Sequence, residues 1–430
     1  MTLDEQLACL KKGTAEIIPE GELRERLVQA EKAGRPLRVK LGVDPTAPDI
    51  HLGHLVVLRK LRQFQDLGHI AIFVVGDFTA QVGDPSGRST ARPALTREEV
   101  LANAETYKQQ VFKILDRART EVRFNSEWLG KLAGEDLVRL CSHYTVARMI
   151  EREDFHARLA ANQPISMHEL LYPLLQAYDS VVLRADVELG GTDQKFNLLV
   201  GREIQRAYGQ PAQIAVLTPI LAGLDGVQRM SKSLGNYVGI TEPPAEMFGK
   251  LMSISDELMW TYYELLTDLT PDEIKKKQRA VEDGRAHPMK VKAGLARRIV
   301  ADFHGELPTI AAAKEFERVF SRKELPSAPP EVSLTRADLA RSTQGSVLPI
   351  VRLMLEGGMA ASRSEAGRLI RQGAVEVDGS RVTLRDGYPV GEEEERIFVM
   401  RVGKRKFLHV RYKGAGRAGN AEPEPSRSSS

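Results

Sequence analysis

Leu37-Arg-Val-Lys-Leu-Gly-Val-Asp-Pro-Thr-Ala-Pro-Asp-Ile-His-Leu-Gly-His54 is the stretch on which the reading of this chain turns. Leu37–Val43 has the composition of a buried strand, Asp44–Asp49 carries two prolines in a turn, and from Leu55 to Leu67 apolar residues recur at helical spacing. A strand–turn–helix unit of this kind puts His51 and His54 in the first helical turn, three residues apart and on one face, beside the ends of the strands. Free N–H groups and the positive end of the helix dipole favour a phosphate there. The same dipole disfavours imidazolium, so each histidine is read as a neutral hydrogen-bond donor. Gly53 between them leaves room for a flat purine against the backbone. The tetrapeptide by itself also fits two ordinary N-terminal histidines; its context and a second motif decide between the readings.

Outward from this corner, β-rich and amphipathic helical runs alternate to about Leu224, which predicts a parallel α/β sheet. The expected strands are Leu37–Val43, Ala71–Val75, Glu121–Phe124, Asp186–Leu189 and Ala212–Leu217; the expected helices are Leu55–Leu67, Thr96–Leu115, Met167–Tyr178 and Asn197–Tyr208. Tyr107–Glu153 reads as a helical insertion between the sheet halves. After the last strand comes Arg229-Met-Ser-Lys-Ser233, which places cations and hydroxyls on a loop at the sheet rim, suited to a pyrophosphate. Pro243–Val319 reads as helical, with basic clusters at Lys275–Arg279 and Lys290–Arg298, and Ser327-Ala-Pro-Pro-Glu331 reads as part of a linker.

The two motifs, in this order on an α/β frame, resemble the signature of class I aminoacyl-tRNA synthetases. Tyr172-Pro-Leu-Leu-Gln176-Ala-Tyr-Asp179, with Tyr172, Gln176 and Asp179 on one helical face, narrows the resemblance to the bacterial tyrosyl-tRNA synthetases. The resemblance covers roughly residues 5 to 412. It implies a Rossmann-like α/β catalytic domain over 1–225 with inserted dimerisation helices at about 107–153. A motif loop and helical tRNA-binding domain over 226–325, a linker over 326–345, a small α+β RNA-binding domain over 346–413 and a disordered tail over 414–430 complete the expected order.

The roles it implies are as follows. His51, His54, Arg229 and Lys232 act in catalysis, and Thr46, His51, Gly53, His54, Asp193, Met230, Ser231 and Lys232 hold ATP, which arrives with Mg²⁺. Lys40, Asp44, Asp84 (in Gly83-Asp-Pro-Ser-Gly87), Tyr172, Gln176, Asp179 and Gln194 surround L-tyrosine. Within that set Asp179 accepts the phenolic hydroxyl, and an acid left unpaired by phenylalanine gives the discrimination for which tyrosyl-tRNA synthetase is the standard worked case. Three residues depart from the family pattern: Lys40 in place of a common tyrosine, Arg229 for the first lysine of the loop, and Val57 for a polar residue near the ribose.

Toward the end of the chain, Ser362–Gly379 reads as a helix carrying Arg363, Arg368 and Arg371 followed by a hairpin, and resembles the RNA-binding domain named after the fourth protein of the small ribosomal subunit. From Ser346 to Lys413 there are 13 Lys and Arg against 9 Asp and Glu, including Lys404-Arg-Lys406, a surface suited to RNA backbone. The Glu392–Glu395 run reads as a solvated turn.

Composition bounds the remaining possibilities. The 430 residues predict more than one domain; 42% hydrophobic and 28% charged residues suit a globular protein, and a net charge of +3 makes any RNA footprint local. Cys9 and Cys141 lie outside any metal or disulfide spacing, so no metal site is expected. The absence of a signal-like segment or a run of about 18 apolar residues points to a cytoplasmic protein without a membrane span. Partners implied by the resemblance are tRNA(Tyr) and a second copy of the chain. Two rival readings stand beside it: a tryptophanyl-tRNA synthetase, and a non-enzymatic RNA-binding protein on the same frame.

Overall fold

A computed structural model describes residues 1–46, 49–84, 86, 96–321, 330–342, 345–383, 388–390, 396–403 and 406–413. The expected tail at 414–430, the Glu392–Glu395 run, Lys404 and Arg405 lie outside the described residues. The chain divides into two units, Met1–Ala312 and Ala313–Ser430.

The first unit is built on six strands: β1 (Glu16–Ile18), β2 (Arg38–Val43), β3 (Ile70–Val75), β4 (Thr120–Phe124), β5 (Val187–Gly191) and β6 (Ile214–Thr218). They lie in the order β1-β6-β5-β2-β3-β4. All neighbours are parallel except β1, which runs antiparallel to β6 and closes one edge. Every residue of β6 is buried, as are the last five of β3, matching the continuous apolar runs of a sheet covered on both faces. Only three residues long, with Glu16 followed by two isoleucines, β1 carries no alternation that a sequence reading could detect.

Two boundaries differ from expectation for physical reasons. The helix Arg97–Val111 stops before Leu115, where Asp116 accepts from the Ala118 N–H and starts a separate short turn. The helix Met167–Leu183 runs past Tyr178 with Pro173 inside it, and ends only where Arg184 takes a left-handed conformation. The 107–153 region, read as an insertion, contains the edge strand β4; the extra helices follow it, at Ser126–Leu129, Gly134–Ser142, Val146–Ile150 and Glu153–Ala160. These pack through Leu140, Met149 and Phe155 onto Leu174, Ala177 and Val181 of the Met167–Leu183 helix. After β6 the unit is helical, from Pro244–Met252 to Pro288–His304.

In the second unit β7 (Glu331–Thr335), β8 (Ala340–Ser342), β9 (Gly345–Leu348), β10 (Val375–Val377), β11 (Ser380–Arg381), β12 (Tyr388–Pro389), β13 (Arg396–Val402) and β14 (Lys406–Lys413) form two sheets, β11-β10-β13-β14-β7 and β12-β9-β8. Leu353, Met354, Ile370, Phe398, Met400, Leu408 and Val410 fill its core. Of the linker expected over 326–345, residues 326–329, 343 and 344 lie outside the described residues, and the described part is corrected here: β7 pairs in parallel with β14 from His409 to Lys413, and β8 pairs with β9. Alternating Val332 and Leu334 supply the apolar side that a Pro-rich neighbourhood obscured in the sequence.

Candidate active site

His51 is the N-cap of the helix Leu52–Asp66; its Nδ1 accepts from the Gly53 N–H at 3.1 Å, and His54 Nδ1 accepts from the His51 N–H at 3.3 Å. With both Nδ1 atoms used as acceptors, a neutral imidazole carries its proton on Nε2, which leaves that N–H for a ligand. Burial, then His54 and Lys232, hold His51 down to about 2, and burial followed by Lys232 holds His54 down to about 4. Both rings are therefore neutral at working pH, as expected, with burial as the leading cause where the sequence argument invoked the helix dipole. Gly53 has a tighter reason than purine access: a Cβ there would lie 2.8 Å from His51 Cε1, so any side chain would unseat the cap.

The second motif is bound to the first. Leu52 N–H donates to Val238 O at 3.0 Å, and Ile240 N–H donates to Ile50 O at 3.1 Å. Within the loop, Asn236 accepts from the Ser231 N–H at 2.8 Å and donates to Asp225 at 2.8 Å and to Arg229 O at 3.1 Å. Lys232 Nζ lies 2.5 Å from Asp49 Oδ2. Together the two motifs line one cleft of about 550 Å³, with Thr46, Asp193, Gly191, Arg229, Met230 and Ser231 among its walls and Val57 and Tyr107 on its apolar side. Every residue expected to hold the nucleotide is in this lining. Asn236 was missed; an asparagine three residues beyond the motif carries no signal of its own until the loop closes around it.

A polar cluster lies on the helix Met167–Leu183. Tyr172 donates to Asp44 Oδ2 at 2.9 Å, while Asp44 Oδ1 accepts from Thr79 at 2.8 Å. Asp84 accepts from Gln194 at 2.8 Å and from the Ser86 N–H at 2.9 Å. Burial, and then Asp44, push the Tyr172 hydroxyl well above its ordinary value. Asp179, 3% exposed, accepts from Trp128 Nε1 at 2.7 Å and from Asn125 Nδ2 at 3.4 Å. Burial raises it to about 6, against the lowering pull of Lys40, Trp128 and Asn125. Trp128 and Asn125 were not read from sequence, because they come from the short segment after β4, far from the helix they serve. Gly76 was missed too: a Cβ there would fall 2.1 Å from Asp44 Oδ1.

Lys40 has its partners inside the protein. Expected beside L-tyrosine, it is fully buried (0% exposed), and its Nζ meets Ser180 Oγ at 2.8 Å, Gln176 O at 2.9 Å and Glu188 Oε1 at 2.9 Å. An ammonium has three donors, and all three are used inside the protein. In the second unit Arg363, Arg368 and Arg371 sit exposed on the helix Arg363–Arg371, which Ser362 caps through the Glu365 N–H.

An HxGH helix start and an RMSKS loop thus line one cleft beside a parallel sheet, the arrangement expected of a class I synthetase. The family described as tRNA synthetases class I (W and Y) matches residues 32–321, and the S4 domain matches residues 348–395. The chain is 55% identical to the tyrosine–tRNA ligase of Oleidesulfovibrio alaskensis over 95% of this chain and 99% of that one. It is 54% identical to that of Geobacter metallireducens over 96% of this chain and 100% of that one. A solved tyrosyl-tRNA synthetase complexed with L-tyrosine, from Archaeoglobus fulgidus, shares the fold with a TM-score of 0.59 at 23% identity, covering 73% of this chain and 100% of that one. The chain belongs to the class I tRNA synthetases of the tryptophan and tyrosine branch, and within it to the tyrosine–tRNA ligase family.

Proposed function

We propose that the chain activates L-tyrosine with ATP and passes the tyrosyl group to tRNA(Tyr). The observation that carries this reading is Asp179, a buried acid oriented by Trp128 and Asn125 on the same helix as Tyr172 and Gln176, in a chain whose relatives at this identity are named tyrosine–tRNA ligases. In the first step the tyrosine carboxylate attacks the α-phosphate and pyrophosphate leaves. No side-chain nucleophile is needed; the work is positioning and stabilisation of charge on the phosphates. The Nε2–H groups of His51 and His54, with Arg229 and Lys232, supply donors and cations there, while Asp193 faces the ribose. Asp44, Asp84 and Tyr172 form the acidic, hydrogen-bonded end suited to the ammonium, Gln176 and Gln194 flank the amino acid, and Asp179 receives the phenolic hydroxyl.

Among the described residues no group of three or more His, Cys, Asp or Glu is arranged for a metal ion. The donor set of the cleft, hydroxyls and cations with Asp49 paired to Lys232, fits a Mg²⁺ that arrives on the phosphates and neutralises their charge. The S4 match and the exposed arginines at 363, 368 and 371 support RNA contact by the second unit. A homodimer through the helices of the 107–153 region is supported by apolar side chains exposed there, Val138 and Val146. None of the described helices is long and apolar enough to cross a membrane, and we read the protein as cytoplasmic. Amino-acid-dependent ATP–pyrophosphate exchange across the twenty amino acids tests the reading: exchange with tyrosine is expected, and exchange with tryptophan alone, or with none, overturns it.

A further inference from the structure

Lys40 and Glu188 are direct neighbours in register on the parallel strands β2 and β5. Both side chains are sealed from solvent, at 0% and 1% exposure. Charges are not buried so completely without a matching set of partners, and the partners here are Gln176 and Ser180 of one helix, with Gln213 beside β6. Lys40 holds Gln176 O and Ser180 Oγ, while Glu188 accepts from Gln176 Nε2 at 3.1 Å, from Ser180 Oγ at 3.1 Å and from Gln213 Nε2. The pair thus grips both the backbone and the side chain of Gln176, one turn before Asp179. Because every Lys40 donor is spent on these contacts, Lys40 offers the substrate no hydrogen bond of its own.

We propose that the Lys40–Glu188 pair is a positioning device for the amino-acid pocket: it fixes Gln176 and balances the charge around Asp179, so that Asp179 meets the phenolic hydroxyl as a carboxylate. This rests on the functional reading above. The groups acting on Asp179 are Lys40 from β2, Glu188 from β5, the neutral Trp128 and Asn125 from the segment after β4, and Tyr172 on its own helix, itself beside Asp44 and Asp84. Lys40 favours the charged acid and Glu188 opposes it.

The test is the pH dependence of kcat/KM for tyrosine in pyrophosphate exchange between pH 5 and 8, in the full chain. His51 and His54, at about 2 and 4, are already neutral across that window, and the tyrosine phenol titrates at roughly 10. Lys40→Met should move the acid limb up by about one pH unit, and Glu188→Gln should move it down, since removing a neighbouring charge of either sign has opposite effects on an acid. Combining the two should return the limb toward the parent position. If Lys40→Met fails to fold, Glu188→Gln decides alone. Folded variants whose limbs stay put, or shift in the same direction, overturn the proposal. A parent protein that exchanges no pyrophosphate with tyrosine overturns the functional reading, and this role with it.

Discussion

At the residue scale the site depends on groups whose charge is set by burial. His54→Ala removes an Nε2–H aimed into the cleft, and in comparable sites one such donor is worth about 2–4 kcal/mol in the transition state. Pyrophosphate exchange should slow accordingly while KM for tyrosine stays near the parent value; the opposite pattern, weak tyrosine binding at an unchanged rate, would reassign the histidine. Asp179 gives a second expectation, with a sign. Its value near 6 lies above that of an ordinary carboxyl, so the folded chain binds this proton more tightly than the unfolded one. The group therefore favours the fold at acid pH and loses that contribution as pH rises toward 6. Tyrosine recognition runs the other way: the charged acceptor is lost as pH falls through 6, and KM for tyrosine should rise. Asp179→Asn should flatten this dependence and narrow the preference for tyrosine over phenylalanine by about 1.5–3 kcal/mol. An unchanged tyrosine-to-phenylalanine ratio in exchange assays would remove Asp179 from the hydroxyl.

At the scale of elements, the first motif is a helix start and the second a loop, and the bonds between residues 50–52 and 238–240 make them one wall of one cleft. Asn236 ties the Ser231 amide, Asp225 and the Arg229 carbonyl together inside that loop. Asn236→Ala should free the loop and lower kcat for exchange roughly tenfold, consistent with losing hydrogen bonds worth about 1–1.5 kcal/mol, with little change in tyrosine affinity. A variant with parental kcat would mean that the loop orders without it. This also shows where sequence reading reaches its limit. Strands β2 to β6, the helix starts and the residues lining the cleft were legible because each is encoded locally, by period, cap or motif spacing. Trp128, Asn125, Gly76 and Asn236 were not, because what makes them matter is a contact formed across the fold. The partners of Lys40 were hidden for the same reason: they depend on the register of β2 with β5, which no local pattern specifies.

For the whole molecule, the nucleotide and amino-acid residues all precede Ala312, and the exposed arginines lie in the unit that begins at Ala313. A cut near Gly345, at the end of the linker expected over 326–345, would leave β7 and β8 without β14 and β9, exposing strand edges and inviting aggregation. A cut in the 322–329 region, ahead of β7, keeps every strand of the two second-unit sheets together. The protein shortened there should keep tyrosine-dependent pyrophosphate exchange, since no group of the cleft has been removed. Its tRNA charging should fall sharply, because the cationic contacts contributed by the second unit are gone, and salt should weaken charging by the intact chain more steeply than by the shortened one. Comparing exchange and charging on the same preparations, over a salt series, separates the outcomes. Full charging by the shortened, folded protein would show that the second unit is dispensable for tRNA. Loss of exchange without unfolding would show that the catalytic cleft needs a group from beyond residue 321.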